Sequence, residues 1–328
     1  MIVFCDDGST ATKLAWFDDK NHLHTQVIKN GFISTWKAES FNNNKVYNYL
    51  LEGQKYAYSP NSTEIEVTTN IKYQYNGINT LGIQQVLQES GLAPQSVDIV
   101  VTLPISEYYD LDSQENTQNI ERKIKNIKRD ISLNKGDVFT FNNVYVYPES
   151  IPALVSELEK TQVSDYEMSL IMDLGGTTLD CGLVMGDFKD VVKVSGDHTI
   201  GTQSLIKEMS HSLIKAETNL NFNITDILVQ KLLNNEDISS MVNNSKLIPQ
   251  LKEQLKLSLS KLAQSCINHI EQNYDGNTSF QRLYLTGGGA EMVYPYLKSH
   301  WGNLGNRVVK LETPQLALVK SLHKIHAE

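Results

Sequence analysis

The sequence has 328 residues, of which 40% are hydrophobic and 20% charged, a composition typical of a globular protein long enough for two domains. Its formal net charge of −9 disfavours direct binding to a nucleic acid backbone, which requires a basic surface. No run of about 18 apolar residues predicts a membrane span, and the N-terminus lacks the basic region of a signal peptide. We therefore expect a cytoplasmic protein that binds neither nucleic acid directly nor a membrane.

The cysteines are three in number and lie far apart, so they predict neither a disulfide framework nor a zinc site. Each lies in an apolar segment, where a cysteine behaves as a small buried side chain. We expect burial of Cys5, Cys181 and Cys266.

The N-terminal half is predicted to alternate short strands with helices. A β-hairpin opens the chain, with strands at 2–5 and 13–17 joined by Asp7-Gly8-Ser9-Thr10. A basic helix with five Lys and Arg residues is expected at 118–130 and is interpreted as a solvated face. The other predicted elements are a hairpin at 46–51 and 54–58 after the Asn-rich residues 42–44, a helix at 78–90, a strand at 97–103, a strand at 144–147 and a helix at 152–160.

A second hairpin follows the polar segment 161–167, which we interpret as the crossing into a second domain. An apolar run at 170–173 ends in an acid, and a glycine-rich turn leads into a strand at 181–185. The spacing matches the N-terminus at a constant offset of 167 residues, which indicates a domain-scale duplication. The matched positions are Asp6 with Asp173, Gly8 with Gly175 and Thr10 with Thr177 (173 − 6, 175 − 8, 177 − 10).

The remainder of the second half is predicted to be rich in helix. A strand at 282–285 runs into a third glycine turn at 286–290, and a terminal helix is expected at 314–326. A long helix is predicted by one apolar stripe, which favours packing in the core over docking of a partner. The stripe is Leu251, Leu255, Leu259, Leu262, Cys266 and Ile270.

The glycine-rich turns carry the clearest chemical signal. Backbone amides in such turns approach a phosphate closely, so two matched hairpins could bind a polyphosphate from both sides. Asp6 and Asp173 could hold Mg²⁺, mostly through water, and Lys13 could add a point charge near the terminal phosphates. A single turn of this kind is an ordinary hairpin, so the prediction depends on all three turns together.

Competing signatures are missing from the sequence. It contains no G-x-x-x-x-G-K-[ST] phosphate loop and no G-x-G-x-x-G pattern between a strand and a helix. A G-x-S-x-G nucleophile elbow is also missing. The sequence therefore favours nucleotide binding by paired hairpins.

The three glycine turns resemble, in order, the two phosphate loops and the adenosine loop of the superfamily that contains actin, chaperone ATPases and sugar kinases. This resemblance implies an α/β, actin-like ATPase fold of two duplicated α/β domains with a nucleotide cleft between them. Phosphate loop 1 is Asp6–Thr10, phosphate loop 2 is Asp173–Thr178, and the adenosine loop is Thr286–Ala290.

Within that superfamily the chain resembles the ParM/StbA plasmid-segregation actins over nearly its whole length, most weakly at 215–280. One departure is Lys320-Ser321, where a small glycine is common. The resemblance is carried by Phe4-Cys5-Asp6-Asp7-Gly8-Ser9-Thr10, Thr68-Thr69-Asn70, Thr102-Leu103-Pro104, Glu107-Tyr108-Tyr109, Asn119-Ile120-Glu121-Arg122-Lys123, Pro148-Glu149-Ser150-Ile151-Pro152 and Asp173-Leu174-Gly175-Gly176-Thr177-Thr178-Leu179-Asp180.

The resemblance implies site residues and a domain division. Glu149 and Asp173 are the expected catalytic residues, and Asp6 and Asp173 the expected Mg²⁺ residues. Domain I is expected at 1–162, with a small lobe inserted at 35–95 and a returning helix at 313–328, and domain II at 163–312. The expected nucleotide-binding residues are Asp7, Gly8, Ser9, Thr10, Lys13, Lys123, Gly175, Gly176, Thr177, Thr178, Gly287, Gly288, Gly289 and Ala290.

The function implied by the resemblance is plasmid segregation by a filament. The expected cofactors are ATP, with GTP left open, and Mg²⁺; hydrolysis would make the filament dynamically unstable. The expected partners are further copies of the chain and a DNA-binding adaptor of the ParR type on a plasmid centromere. The alternative is a small-molecule, sugar-type kinase of the same superfamily. Such a kinase needs a catalytic aspartate, for which Asp180 and Asp110 are the candidates.

Overall fold

The computed structural model describes residues 1–39, 45–274 and 280–327, so the Asn-rich stretch 42–44 lies outside the described residues. The chain forms two compact units. Unit 1 comprises Met1–Lys160 and Leu316–Glu328, and unit 2 comprises Thr161–Gln315.

The strands of unit 1 form a large and a small sheet. In the large sheet the order is β3-β2-β1-β7-β9, and in the small sheet it is β4-β6-β5-β8. The strands are β1 (Ile2–Asp7), β2 (Ala11–Phe17), β3 (Leu23–Lys29), β4 (Phe32–Ile33), β5 (Asn48–Leu51), β6 (Gln54–Tyr58), β7 (Ser96–Leu103), β8 (Ile131–Leu133) and β9 (Thr140–Pro148).

The large sheet begins with the predicted hairpin. Strands β1 and β2 pair antiparallel, with Asp6 opposite Lys13, and β1, β7 and β9 run parallel. The carboxyl ends of the three parallel strands therefore lie at one edge of the sheet. Asp7, Leu103 and Pro148 end these strands, which places the first phosphate loop and the segment before Glu149 at that edge.

The α-helices agree with most of the predicted ones. The basic helix and the long helix are both confirmed, and the predicted helix at 152–160 begins instead as a 3-10 turn at Ile151–Leu154. The helices are α1 (Gly77–Glu89), α2 (Ile105–Tyr108), α3 (Thr117–Ile127), α4 (Val155–Thr161), α5 (Thr202–Lys215), α6 (Phe222–Leu233), α7 (Ile248–Tyr274), α8 (Ala290–His300) and α9 (Pro314–Ala327).

The small sheet takes strands from two separate stretches of chain. Its hairpin β5–β6 turns at Glu52 and Gly53, as predicted, and both turn residues have positive φ angles. Strand β8 pairs with β5 from beyond α3. Helix α1 packs with both sheets, because Leu81 belongs to the small-sheet core and Val86 to the large-sheet core.

Unit 2 repeats the large sheet. Its strand order, β12-β11-β10-β13-β14, matches that of unit 1, with an antiparallel hairpin followed by parallel strands. The repeated order confirms the duplication predicted from the constant offset. The strands are β10 (Met168–Leu174), β11 (Leu179–Met185), β12 (Asp190–Asp197), β13 (Arg282–Thr286) and β14 (Val308–Lys310).

The core of unit 2 forms between this sheet and helices α5, α7 and α8. All six residues of the predicted stripe on α7 are buried, which confirms that the stripe faces the core. The three cysteines are buried as well, and burial raises the pKa of each thiol, that of Cys266 to about 12. Within the described ranges, no helix is both long and apolar enough to cross a membrane.

Helix α9 returns to unit 1. Its Ser321 is buried and lies against α4, with the Ser321 and Ser156 hydroxyl oxygens 3.2 Å apart. The resemblance leads us to expect a glycine here, and serine is small enough for the same close approach. His323 and His326 of α9 pack edge-on against Phe4 of β1.

Candidate functional site

The turn after β1 brings several predicted residues together. The Lys13 Nζ lies 2.9 Å from Asp6 Oδ2, and both side chains are largely buried. A Cβ added to Gly8 would lie 3.2 Å from that Nζ, so the ammonium group is against the loop. Asp6, Gly8 and Lys13 therefore form one cluster, and the lysine compensates the charge of the aspartate.

Asp7 and Lys123 lie beneath this turn and are fully buried. The Lys123 ammonium group bonds to Asp7 Oδ2, to the Gln74 side chain and to Asn79 Oδ1, so its three donors all have acceptors. The Thr102 N–H donates to Asp7 Oδ1 over 3.2 Å. Asp7 and Lys123 were both predicted to bind nucleotide, yet neither exposes surface to a ligand in this structure. The other basic residues of α3, Arg122 and Lys125, are exposed to solvent.

The turn itself is held by Asn30, which follows β3. The Asn30 Nδ2 donates to the carbonyl oxygens of Gly8, at 2.8 Å, and Ser9, at 3.0 Å. The Asn30 backbone N–H donates to the Thr10 carbonyl over 3.0 Å. All three carbonyls of the turn are thus directed toward one residue.

Glu149 lies just beyond β9, at the same sheet edge. Its N–H donates to the Leu103 carbonyl over 2.8 Å, which extends the pairing of β7 and β9 by one residue. The next residue, Ser150, has φ 73° and ψ −75°, and the Ile151 N–H bonds to the Glu149 carbonyl. This geometry is a γ-turn with positive φ, a rare and strained conformation that tends to occur at functional positions.

Phosphate loop 2 forms the corresponding turn in unit 2. The Gly175 N–H donates to the Thr178 carbonyl over 2.9 Å, which closes the turn. The N–H groups of Thr202 and Gln203, at the start of α5, donate to the Gly175 and Gly176 carbonyls over 3.1 and 2.9 Å. These are first-turn amides, which have no acceptor within their own helix.

Gly201 allows this approach of α5 to the loop. A Cβ at residue 201 would lie 2.5 Å from the Gly176 carbonyl oxygen and 2.7 Å from the Thr177 carbonyl carbon. Both distances are shorter than any real contact, so the close packing requires glycine.

The adenosine loop lies directly against phosphate loop 2. Asp173 is opposite Thr286 in the parallel pair β10–β13, and the Gly289 N–H donates to the Leu174 carbonyl over 2.9 Å. Gly287 has φ 86°, and a Cβ there would lie 2.1 Å from Asp173 Oδ1. Asp173, loop 2 and the adenosine loop are therefore assembled at one edge of the unit 2 sheet.

The structure also shows site residues that sequence reasoning missed. Asn30, Thr202 and Gln203 bind loop carbonyls, yet none belongs to a glycine-rich turn. The only sequence signal for the last two is Gly201 immediately before the amphipathic pattern of α5. Asn30 carries no local signal, because its partners lie about twenty residues earlier in the chain.

The two aspartates considered for a sugar-type kinase have other placements. Asp110 is exposed, and its Oδ1 accepts N–H groups of Asp112 and Gln114 within a surface turn. Asp180 is buried on β11, opposite Asp173. Neither placement favours the kinase alternative.

Comparison with protein families decides the assignment. Residues 1–160 match the family described as plasmid segregation protein ParM, N-terminal, and residues 163–325 match plasmid segregation protein ParM, C-terminal. The chain belongs to the ParM plasmid-segregation family. ParM proteins are members of the actin-like ATPase superfamily, in which nucleotide hydrolysis is a general property. A search of curated proteins gave no match.

Solved structures of ParM and other actin-like proteins share the fold. A non-polymerisable quadruple mutant of pCBH ParM is 16% identical, with a TM-score of 0.75, and 99% of this chain and 98% of that one are covered. A 15-stranded ParM filament from Clostridium botulinum is 15% identical, with a TM-score of 0.73 and coverage of 100% and 99%. The ADP complex of Ta0583, an archaeal actin homologue, is 16% identical, with a TM-score of 0.70 and coverage of 99% of both chains. At such identities, the likeness establishes the actin-like fold.

Proposed function

We propose that this ParM-family protein binds Mg-ATP and assembles into a filament that ATP hydrolysis makes unstable. The observation that carries the proposal is the matched pair of loops. In each unit, the first hairpin of the large sheet turns just after an acid. Hydrogen bonds from Asn30 in unit 1, and from the N–H groups of Thr202 and Gln203 in unit 2, hold the carbonyls of the turn. Two such loops are the phosphate-binding elements that the family relationship predicts.

The glycines of the adenosine loop support the proposal of a nucleotide site in unit 2. The backbone of Gly287 and Gly289 is packed against Leu174 so tightly that a side chain at either position would collide with it. Gly288, between them, has open space beyond its Cα. A flat base or ribose can therefore approach bare backbone at the adenosine loop, and phosphates can approach the partly exposed Gly175 and Gly176.

Magnesium fits as an ion that is bound together with the nucleotide. Within the described ranges, no cluster of three or more His, Cys, Asp or Glu residues would hold a metal by itself. Mg²⁺ needs only one or two carboxylates when phosphate oxygens and water complete its octahedron. Asp6 and Asp173 are the candidate carboxylates, and an ion bound with the nucleotide would neutralise charge that develops on the transferring phosphoryl group.

Hydrolysis then requires positioning of the attacking water. We assign this role to Glu149 and Asp173, whose carboxylates can accept hydrogen bonds from water and draw off its proton as attack proceeds. The amides of the two phosphate loops and the Lys13 ammonium group stabilise charge on the phosphoryl oxygens. Asp7 and Lys123, which are buried, support loop 1 from below and need not touch nucleotide.

Filament formation follows from contacts between copies of the chain. A contact that joins two different surfaces of the same subunit type generates an open polymer whenever its rotation does not close into a ring. We propose that a DNA-binding adaptor of the ParR type connects this polymer to the plasmid centromere. An indirect link to DNA agrees with the net charge of −9.

Nucleotide binding and turnover by the purified chain test the proposal. We expect tight binding of Mg-ADP and Mg-ATP, weaker binding after chelation of magnesium, and phosphate release from ATP without any added acceptor. Comparison with GTP under the same conditions measures base preference. Turnover that depends on an added sugar would contradict the proposal and support a kinase instead.

A further inference from the structure

We infer that Asn30 is a positioning residue that orients phosphate loop 1 for nucleotide binding. The inference rests on the proposed function, because it concerns how that loop presents its amides to phosphate. Asn30 is not part of any glycine-rich turn, and it is 3% exposed.

The peptide groups of loop 1 have a common direction. In a planar trans peptide, the C=O and the N–H of the next residue point in opposite directions. Asn30 binds the carbonyls of Gly8, Ser9 and Thr10. The N–H groups that follow these carbonyls belong to Ser9, Thr10 and Ala11, and they are therefore directed away from Asn30. Successive amides that face one side form an anion-binding concavity.

Asn30 is itself fixed by its surroundings. The Thr12 hydroxyl donates to Asn30 Oδ1 over 2.9 Å, which determines the orientation of the side-chain amide. The Tyr73 hydroxyl oxygen also lies 2.9 Å from Asn30 Nδ2, so the two amide hydrogens are shared among three acceptors. Burial raises the pKa of the Tyr73 hydroxyl well above its ordinary value. The Asn30 amide can therefore neither flip nor rotate without loss of several hydrogen bonds.

Helix α1 packs against the hydrogen-bonded group of Asn30, Thr12 and Tyr73. A Cβ at Gly82 would lie 3.0 Å from the Thr12 hydroxyl, 3.1 Å from the Tyr73 hydroxyl and 3.3 Å from Asn30 Oδ1. The lack of a side chain at Gly82 lets the helix backbone approach the group. Tyr73 also belongs to the core of the small sheet, so Asn30 connects loop 1 to that sheet.

In unit 2, backbone N–H groups rather than a side chain hold the carbonyls of the phosphate loop. There the loop carbonyls accept backbone N–H groups of Thr202 and Gln203, which no side-chain substitution removes. In unit 1 the donors to Gly8 and Ser9 come from one side chain. A single substitution can therefore disorient loop 1 while the sheet beneath it stays intact.

The test compares Asn30→Ala with Asn48→Ala in the full-length protein. Asn48, in strand β5 of the small sheet, is a matched control because it is also 3% exposed. Its side-chain amide makes two 2.9 Å hydrogen bonds to the backbone of Lys37. Both variants are expected to melt at a lower temperature than the wild type. Calorimetric titration with Mg-ADP is expected to show at least about tenfold weaker binding for Asn30→Ala, equivalent to the loss of one or two hydrogen bonds, and less than about twofold change for Asn48→Ala.

The outcomes separate the inference from the proposed function. Wild-type protein that fails to bind Mg-ADP would overturn the proposed function and, with it, the role of Asn30. Wild-type binding together with unchanged binding by a folded Asn30→Ala variant would overturn the inference alone. Should Asn30→Ala fail to fold, Asn30→Ser keeps a polar group in the buried site but is too short to reach the carbonyls of both Gly8 and Ser9. That variant is also expected to weaken Mg-ADP binding at least about threefold, and unchanged affinity in the folded variant would overturn the inference.

Discussion

At the residue scale, the two adjacent aspartates at the end of β1 have different surroundings. Asp6 lies beside Lys13 at the edge of the loop, whereas Asp7, its neighbour, is buried with Lys123 beneath it. Side chains alternate in direction along a strand, so consecutive acids at the end of β1 necessarily face opposite sides. Two adjacent aspartates that are indistinguishable in sequence thus have different partners, Lys13 for Asp6 and Lys123 for Asp7.

Catalysis is predicted to depend on Glu149 and Asp173. We expect Glu149→Ala and Asp173→Ala each to reduce ATP turnover by about 10²-fold or more, because each removes a carboxylate that positions the attacking water. Circular dichroism and thermal melting should show that both variants fold. Steady-state phosphate release measures the effect.

The matched controls for these variants are Glu159→Ala and Asp165→Ala. Each removes a carboxylate from a surface ion pair, with Lys324 and Lys189 respectively. Their turnover should equal that of the wild type. Wild-type rates in purified Glu149→Ala and Asp173→Ala would show that the catalytic assignment is wrong.

The buried Asp7–Lys123 pair is predicted to be structural. Removal of one member leaves a buried charge without compensation, so Lys123→Met should lower the free energy of unfolding by about 3–5 kcal/mol. Asp7→Asn in addition to Lys123→Met should restore part of this loss, because the remaining charge is removed. Urea denaturation of the three proteins measures the difference.

An exposed pair provides the comparison for this experiment. Lys135 bonds to Glu39, and both side chains are mostly exposed, so Lys135→Met should hardly change the stability. A Lys123→Met variant as stable as Lys135→Met would contradict the structural role. Loss of nucleotide affinity without loss of stability would instead favour direct contact between Lys123 and nucleotide.

At the element scale, the strand ends determine what the loops can do. The parallel strands of each large sheet end at one edge, and the loops of interest all emerge there. In unit 2 the start of α5 also reaches this edge and donates its first amides to loop 2. The first-turn N–H groups of α5 have no acceptor within the helix, so they hydrogen-bond to the carbonyls of loop 2 and stabilise the loop.

The adenosine loop offers a sharp test at this scale, because two neighbouring glycines have opposite environments. Gly287→Ala should destabilise unit 2 by more than about 2 kcal/mol, since the new methyl group collides with Asp173 and Leu174 at a positive φ. Gly288→Ala should be tolerated, because nothing lies within 4 Å of the added Cβ. Thermal melting and Mg-ADP titration of the two variants measure the contrast. Equal stability of the two would contradict the described packing of this loop.

At the scale of the whole molecule, the sequence could predict the duplicated hairpins because their acid, glycine and hydroxyl positions recur at one offset. It also predicted the buried face of α7, since a long apolar stripe depends only on helical periodicity. It could not predict that Lys123 is buried, because a basic helix in isolation favours a solvated face. Asn30 was missed for a related reason: its partners are remote in sequence, and hydrogen bonds to backbone carbonyls leave no pattern of residue types.

At the centre of the proposed function is a filament that assembles when the protein binds Mg-ATP and that becomes unstable when the ATP is hydrolysed. Right-angle light scattering after addition of Mg-ATP, with phosphate release followed in the same cuvette, tests it most directly. We predict a rapid rise in scattering that decays as phosphate accumulates, and a rise that persists in the Glu149→Ala variant. Steady phosphate release with no rise in scattering at any protein concentration would contradict the claim.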